Sequence, residues 1–155
     1  MNRVVGLGEW VCSGNQVDII STFALSTCVA VTAYCPVKKV AGLIHIVLPE
    51  PLSTKDEKVR PGYFASTGVP LLIRKMVEQF GCRKQNLVIQ LFGGAEPQKR
   101  NYFRIGSRNL EQVQRMLQSL EIETVKADVG GQVSRTLHMS VKTGEIKLST
   151  LPLSS

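Results

Sequence analysis

Residues 28–48 read CVAVTAYCPVKKVAGLIHIVL, two apolar runs separated by a proline and a pair of lysines. The first run is rich in β-forming residues, and the second, from Val40 to Leu48, is apolar on both alternating faces apart from one histidine. Such a run is typical of a strand buried on both sides. Because the connection is short, the two strands are expected to pair antiparallel. The pattern therefore predicts a buried strand pair that brings Cys28 and His45 toward the same end of a sheet.

A first amphipathic helix is predicted after a polar, proline-containing loop over residues 50–65. Ser66 or Thr67 provides its N-cap, and Gly81 ends it. Its apolar residues recur at helical spacing, which indicates a core-facing stripe rather than a cofactor site: Val69, Leu72, Ile73, Met76, Val77 and Phe80.

A further buried strand is predicted from Leu87 to Phe92, and it ends at a glycine pair. Phe92 and Gly93 are candidates for shaping a substrate site, because the missing side chain allows a close backbone approach. A second helix follows, with Ser107 or Asn109 as its N-cap, and strand-like segments close the chain. This order predicts a single α+β domain over residues 1–155, with mixed and antiparallel sheets packed together and two main helices on the outer faces.

Length and composition are those of a cytoplasmic globular domain. The chain has 155 residues, of which 43% are hydrophobic and 20% charged, enough for a sizeable core. No signal-peptide pattern is present, and no window approaches about eighteen uncharged apolar residues, so membrane insertion is not expected. The net charge of +7 is spread along the chain without a nucleic-acid-binding motif, which favours a solvated basic face over nucleic-acid binding.

The four cysteines stand at positions 12, 28, 35 and 82 and form no CxxC pair. Zinc-type spacing is therefore absent, and neither GxGxxG nor GxxxxGK occurs to hold a phosphate. No metal and no cofactor are expected. In a reducing cytosol, Cys12, Cys35 and Cys82 are interpreted as small buried hydrophobic residues.

Cys28 and His45 allow two interpretations. Both residues are compatible with ordinary core packing. Alternatively they are a nucleophile and its base, because a thiol with a pKa of about 8.5 needs a nearby imidazole to attack as thiolate. Ser26 and Thr27 precede the cysteine at a turn that can leave backbone N–H groups free for an oxyanion. The Thr22 hydroxyl is a candidate for orienting the imidazole.

Four blocks of the sequence resemble the CheD family of bacterial chemotaxis proteins, the chemoreceptor glutamine deamidases. They read TFALSTCVAVTAYCP, AGLIHIVLPEP, LFGGA, and IGSRNLEQV continued by ADVGGQVSRTLHMSVKTGEIKL. The likeness implies a fold similar to the catalytic domain of cytotoxic necrotizing factor toxins. Two departures are expected to alter the oxyanion turn and substrate access: Ser26-Thr27 in place of a frequent Gly-Ser, and Ile44 in place of a frequent Asn.

By this resemblance, Cys28 is the nucleophile, His45 is the base, and Thr22 assists the base. The implied reaction converts side-chain glutamine to glutamate on the cytoplasmic helices of chemoreceptors through a thioester, without metal or cofactor. In many bacteria the phosphatase CheC is the regulatory partner, and some members also hydrolyse receptor methyl esters. The alternative function is an adaptor that docks on the receptor or on CheC and has little catalytic role.

Overall fold

The computed structural model describes residues 1–97 and 103–153. Within these residues the chain forms nine strands and three α-helices. In chain order they are β1 (Asn2–Val4), β2 (Trp10–Ser13), β3 (Ile19–Leu25), β4 (Val29–Cys35), β5 (Val40–Ile46), α1 (Thr54–Val59), α2 (Ala65–Glu78), β6 (Val88–Gly93), α3 (Ile105–Ser119), β7 (Thr124–Val129), β8 (Val133–Ser140) and β9 (Ile146–Pro152). No helix in this part of the chain is long and apolar enough to cross a membrane.

The strand pair predicted from residues 28–48 is β4 and β5, in a five-stranded sheet with the order β2-β5-β4-β6-β7. The two strands pair antiparallel from Val29 opposite Ile46 to Cys35 opposite Val40. Every residue of both strands is buried, because neighbouring strands cover their edges and other layers cover both faces. The predicted pair and its direction are confirmed.

A second sheet, with the order β1-β3-β8-β9, packs face to face against the first. Apolar side chains such as Ile20 and Leu43 fill the space between the sheets, which we call the inter-sheet layer. The opposite face of the five-stranded sheet packs against α2 and α3, where Val31, Leu72 and Val113 share one cluster, the helix-side layer. The predicted α+β class is confirmed, with both main helices on the same outer face.

The predicted N-caps of both main helices are wrong. Phe64 precedes α2 and Arg104 precedes α3, and neither side chain makes a capping hydrogen bond. The Thr67 hydroxyl donates instead to the carbonyl of Pro61, and Asn109 lies inside α3 with its amide bound to carbonyls outside the helix. Capping is inferred from local sequence, whereas these polar side chains have tertiary partners that the sequence does not reveal.

The segment 50–65, predicted as a loop, contains the short helix α1. The Ser53 hydroxyl accepts a hydrogen bond of 3.2 Å from the backbone N–H of Asp56 and caps this helix. A serine with an acidic residue three positions later is a recognisable start signal. No residue of α1 is buried, so the hydrophobic pattern gives no sign of it.

Candidate active site

His45 lies on β5 and faces the second sheet. Because side chains alternate along a strand, it shares a face with Ala41 and Leu43, which belong to the inter-sheet layer. Its side chain is 3% exposed. Ile44, expected from the sequence to alter substrate access, belongs to the helix-side layer and is fully buried there. It therefore points away from the face that carries His45.

Thr22 reaches His45 from the other sheet. It lies on β3, where a bulge between Thr22 and Leu25, with Ala24 at φ 54°, keeps both of the flanking side chains buried. The Thr22 hydroxyl oxygen lies 2.7 Å from Nδ1 of His45 and 2.8 Å from the carbonyl oxygen of Val5. The structure thus brings together two of the residues expected at the site.

These two hydrogen bonds fix the position of the proton on His45. The Val5 carbonyl can only accept, so the Thr22 hydroxyl donates its single proton to that carbonyl. The hydroxyl oxygen must then accept the Nδ1 proton of His45. Nε2 is consequently the unprotonated nitrogen, and it has no hydrogen-bond partner among the described residues. The arrangement leaves a free base at Nε2.

The segment between β1 and β2 holds the main chain of His45. The N–H of Gly8 donates to the carbonyl of His45 at 2.9 Å, and the N–H of His45 donates to the carbonyl of Glu9 at 3.1 Å. Together with the Val5 carbonyl, this segment fixes both the backbone and the ring of the histidine. Residues 5–9 are missing from the site expected from the sequence, because contacts made by backbone groups leave no signature in residue type.

Cys28 lies in the loop between β3 and β4, and three consecutive carbonyls of that loop are held in place. The carbonyl of Ser26 accepts from the N–H of Ala95, and the carbonyl of Cys28 accepts from the N–H of Gly94, each at 2.8 Å. The carbonyl of Thr27, between them, accepts at 2.9 Å from the side-chain amide of Asn109. The peptide planes around the cysteine are therefore fixed. Asn109 was expected to be a helix cap, and sequence reasoning missed this role.

Gly93 supports the same loop from β6. Its φ is 108°, and a Cβ at this position would collide with the carbonyl of Cys28. The close approach that its missing side chain allows is thus occupied by the backbone of the cysteine itself. Phe92, the preceding residue, is 2% exposed and contributes to the inter-sheet layer.

Arg135, on β8 of the second sheet, is hydrogen bonded to Gly93 at the end of β6. Its guanidinium donates to the carbonyl of Gly93 at 3.3 Å and to the carboxylate of Asp128 at 2.9 Å, and the residue is buried. A sequence signal for this burial exists, because Arg135 alternates with Leu137 and Met139 on the inward face of β8.

The strand register relates Cys28 to His45. Ala30, two residues after the cysteine, is paired with His45, and Val29 is paired with Ile46. Cys28 is partly buried and packs against the inter-sheet layer, the layer whose face also carries His45. The loop therefore brings the thiol to the end of the sheet where β5 presents the imidazole, as the sequence predicted.

Burial keeps the candidate dyad uncharged at neutral pH. It raises the pKa of the Cys28 thiol to about 11, although a hydrogen bond from the cysteine's own backbone N–H lowers this pKa in part. It lowers the pKa of His45 to about 4, against the opposing charge of Glu9. The resting pair is thus a neutral thiol and a neutral imidazole rather than an ion pair. Proton transfer must accompany attack on a substrate.

The other cysteines lack such surroundings. Cys35 and Cys82 are buried in the helix-side layer, and Cys12 packs against it. Burial raises the pKa of Cys12 to about 11 and that of Cys82 to about 12, and Cys35 adds to the second shift. Among the residues that the structure describes, no group of three His, Cys, Asp or Glu side chains is placed to hold a metal ion.

Comparison with known proteins agrees with the resemblance seen in the sequence. The family described as CheD chemotactic sensory transduction matches residues 47–150. A probable chemoreceptor glutamine deamidase CheD of Syntrophotalea carbinolica is 42% identical over 150 residues, which is 94% of this chain and 92% of that protein. The chemoreceptor glutamine deamidase CheD of Thermotoga maritima is 32% identical over 146 residues, covering 94% of this chain and 90% of its own length.

Two solved structures share the fold at low sequence identity. The hypothetical protein YfiH of Bacillus licheniformis has a TM-score of 0.52 and 10% identity, covering 77% of this chain and 49% of that chain. YlmD of Geobacillus stearothermophilus has a TM-score of 0.51 and 8% identity, covering 94% of this chain and 61% of that chain. At such identities the likeness concerns the fold alone.

Proposed function

Since this chain belongs to the CheD family, we propose that it is a chemoreceptor glutamine deamidase in which Cys28 is the nucleophile, His45 is the base and Thr22 orients the base. The observation that carries this assignment is the hydrogen-bonded series from the Val5 carbonyl through Thr22 to His45. It protonates Nδ1 and leaves Nε2 as an acceptor on the face that Cys28 packs against. A core histidine with a purely structural role would have both ring nitrogens satisfied.

The proposed reaction proceeds through a thioester. Nε2 of His45 takes the proton of the Cys28 thiol as the sulfur attacks the side-chain carboxamide carbon of a glutamine. The resulting imidazolium returns that proton to the leaving nitrogen, and ammonia departs. Water then attacks the thioester while Nε2 accepts one of its protons. The sulfur leaves and is reprotonated by the imidazolium, and the product is a glutamate side chain.

Backbone N–H groups of the cysteine loop are suited to bind the oxyanion of the tetrahedral intermediate. The carbonyls of Ser26 and Thr27 are held by hydrogen bonds, and in a trans peptide the following N–H points the opposite way. Within the described residues, the N–H groups of Thr27 and Cys28 donate to no other residue. Fixed donors that no other residue occupies are what a developing oxyanion requires.

The neutral resting pair of thiol and imidazole suits a substrate that itself covers the site and excludes water. A thiol whose pKa is raised to about 11 stays protonated, and therefore less reactive toward oxidants, until a bound carboxamide accepts the sulfur's electrons. A helical receptor segment lying over the loop would exclude water from the site and strengthen the hydrogen bonds to the oxyanion. Proton transfer from the thiol and attack on the carboxamide then occur together once the substrate is bound.

The wider role follows from the family. The proposed substrate is a glutamine on the cytoplasmic helices of a chemoreceptor, which places the reaction in the cytoplasm. We propose that residues 1–155 form a single catalytic domain, and the packing of the two sheets and the helices of the described residues through shared layers supports this. CheC is the proposed regulatory partner, and hydrolysis of receptor methyl esters would follow the same thioester route.

The test is a deamidation assay with a purified receptor cytoplasmic fragment. Ammonia release and peptide mass report the conversion of amide to acid. Replacing the nucleophile by Cys28→Ala is expected to lower kcat by at least about a thousandfold. The matched control is Cys12→Ala, another partly buried thiol with a pKa of about 11, which should retain activity.

The adaptor function makes a different prediction in the cell. If docking alone were the role, a deletion strain would regain full chemotaxis with the Cys28→Ala protein. Wild-type rates of ammonia release by Cys28→Ala would refute the nucleophile directly. Failure of both wild-type and variant protein to bind the receptor fragment would count against the substrate.

A further inference from the structure

We propose that Asn109 is a positioning residue that sets the oxyanion donor of this site, an inference that rests on the proposed function. The residue lies on α3 and is 0% exposed. Its side-chain nitrogen donates to two carbonyls, those of Thr27 and Val47, each at 2.9 Å. Thr27 directly precedes Cys28, and Val47 lies two positions after His45. One amide therefore ties the loop of the nucleophile to the residue that directly follows the strand of the base.

The orientation of this amide has a single solution. Nδ2 uses both of its protons, one for each carbonyl, while Oδ1 is buried without a partner among the described residues. A rotation by 180° would place Oδ1 against two carbonyl oxygens, and acceptors cannot bond to one another. The unpaired oxygen weakens the case for a purely stabilising role, since a buried unpaired acceptor costs stability.

The Thr27 carbonyl differs from its neighbours because a side chain, not a backbone N–H, holds it in place. The carbonyls on either side of it, those of Ser26 and Cys28, accept from backbone N–H groups that every sequence possesses. The Thr27 carbonyl accepts from the Asn109 side chain. Because a peptide is planar and trans, the position of the Thr27 carbonyl also sets the direction of the Cys28 N–H. Asn109 thus aims the donor that lies closest to the reacting sulfur.

Loss of the Asn109 donors is expected to free this peptide plane and to loosen the loop, which is then held only by the backbone hydrogen bonds on either side. The Cys28 N–H would then no longer be held toward the oxyanion. Since the oxyanion forms only in the transition state, the loss should appear in kcat and leave KM nearly unchanged. A residue that merely supported the fold would change the amount of folded enzyme instead.

The decisive variant is Asn109→Asp, which keeps the size of the side chain and removes both N–H donors. The matched control is Gln112→Glu, the same amide-to-acid change three residues later on α3. Gln112 is also buried, but its amide contacts Met116 and Arg115 rather than the loop. We expect kcat to fall roughly 100-fold in Asn109→Asp with KM changed by less than about threefold. The control should stay within about twofold of the wild type.

A second measurement does not depend on activity. Hydrogen exchange of the Gly94 and Ala95 amides reports whether the cysteine loop is held, because these amides donate to its carbonyls. In Asn109→Asp and in Asn109→Ala we expect these two amides to exchange at least about tenfold faster, with the rest of the sheet unchanged. Gln112→Glu should not affect them.

The outcomes separate this inference from the proposed function. The positioning role is overturned if Asn109→Asp has the same kcat as Gln112→Glu. It is also overturned if the loss of kcat in Asn109→Asp equals the loss of folded protein. If wild-type protein releases no ammonia, the proposed function fails, and the exchange of Gly94 and Ala95 alone then decides whether Asn109 holds the loop. Partial recovery of kcat in Asn109→Gln, which keeps the donors, would support it.

Discussion

The two faces of the five-stranded sheet are both buried, yet they differ in chemistry. The helix-side layer consists of apolar side chains, with Cys35 and Cys82 packed among them, and the polar side chains buried on α3 are the uncharged amides of Asn109 and Gln112. The face toward the second sheet is apolar at its centre, but Thr22, His45 and Arg135 are also buried on this side of the molecule and hydrogen bonded. Burial alone therefore does not mark the site. A buried base with an unused nitrogen does.

The cysteines illustrate the same point. Burial raises the pKa of Cys28 to about 11, of Cys12 to about 11 and of Cys82 to about 12. The three thiols are alike in this respect, so acidity does not distinguish the proposed nucleophile. Cys28 differs in the loop that holds it, whose carbonyls are fixed and whose N–H groups at Thr27 and Cys28 donate to no other described residue.

The largest expected effect contrasts two neighbouring residues that face opposite layers. His45→Gln removes the proposed base, and kcat should fall by roughly 10³-fold or more, measured by ammonia release. Ile44→Val shortens a side chain of the helix-side layer, and it should cost about 0.5–1.5 kcal/mol of the free energy of unfolding with kcat unchanged. Equal kcat values for the two variants would remove the functional difference between the faces.

The next effect is a loss of stability in the acid range, which is expected from the inter-sheet side because His45 is buried there. Burial lowers the pKa of His45 from 6.5 to about 4. Between these values the unfolded chain binds a proton that the folded chain does not, so the free energy of unfolding decreases as the pH falls through this window. Denaturant titration should show that wild type loses about 2 kcal/mol more than His45→Gln between pH 7 and pH 4.5. A parallel loss in both proteins would mean that His45 is not the group responsible.

The smallest effect concerns Thr22, the residue proposed to orient the base. Thr22→Val keeps the shape of the side chain and removes the hydroxyl that accepts the Nδ1 proton. Without it the tautomer of His45 is no longer fixed, and kcat should fall about 10- to 100-fold. Thr22→Ser, which retains the hydroxyl, should recover most of the rate. Unchanged kcat in Thr22→Val would show that the ring is held by other contacts.

Much of this arrangement could be predicted from the sequence because it depends on local pattern. The apolar runs of residues 28–48 define β4 and β5, and their short connection sets the register that places His45 opposite Ala30. The apolar stripe predicted a core-facing helix, which Leu72 and Met76 confirm, but Val77 is 36% exposed and Phe80 lies beyond the end of α2. Strand and helix periodicity carry this information directly.

The remainder depends on tertiary contacts that residue types do not specify. The Val5 carbonyl and the backbone of residues 8 and 9 act through groups common to all residues. Asn109 was expected as a helix cap because asparagine favours that position, and its partners, 82 and 62 positions away, are visible only in the fold. The preference of asparagine for helix caps predicted a side chain bonded to backbone groups. It could not identify the carbonyls of Thr27 and Val47 as those groups.

The pairing of β3 with β8 joins very distant parts of the chain, and this has a consequence for the order of folding. The hydroxyl oxygen of Ser21 on β3 lies 2.7 Å from Nδ1 of His138 on β8, although 117 positions of sequence separate the two residues. Pairings across so long a segment form late, because closing the intervening chain costs conformational entropy. Thr22, the next residue on β3, is placed opposite Leu137 only in that late step. A nascent chain therefore contains the Cys28 thiol long before it has an oriented His45, so we expect incompletely folded protein to be chemically silent toward its substrate.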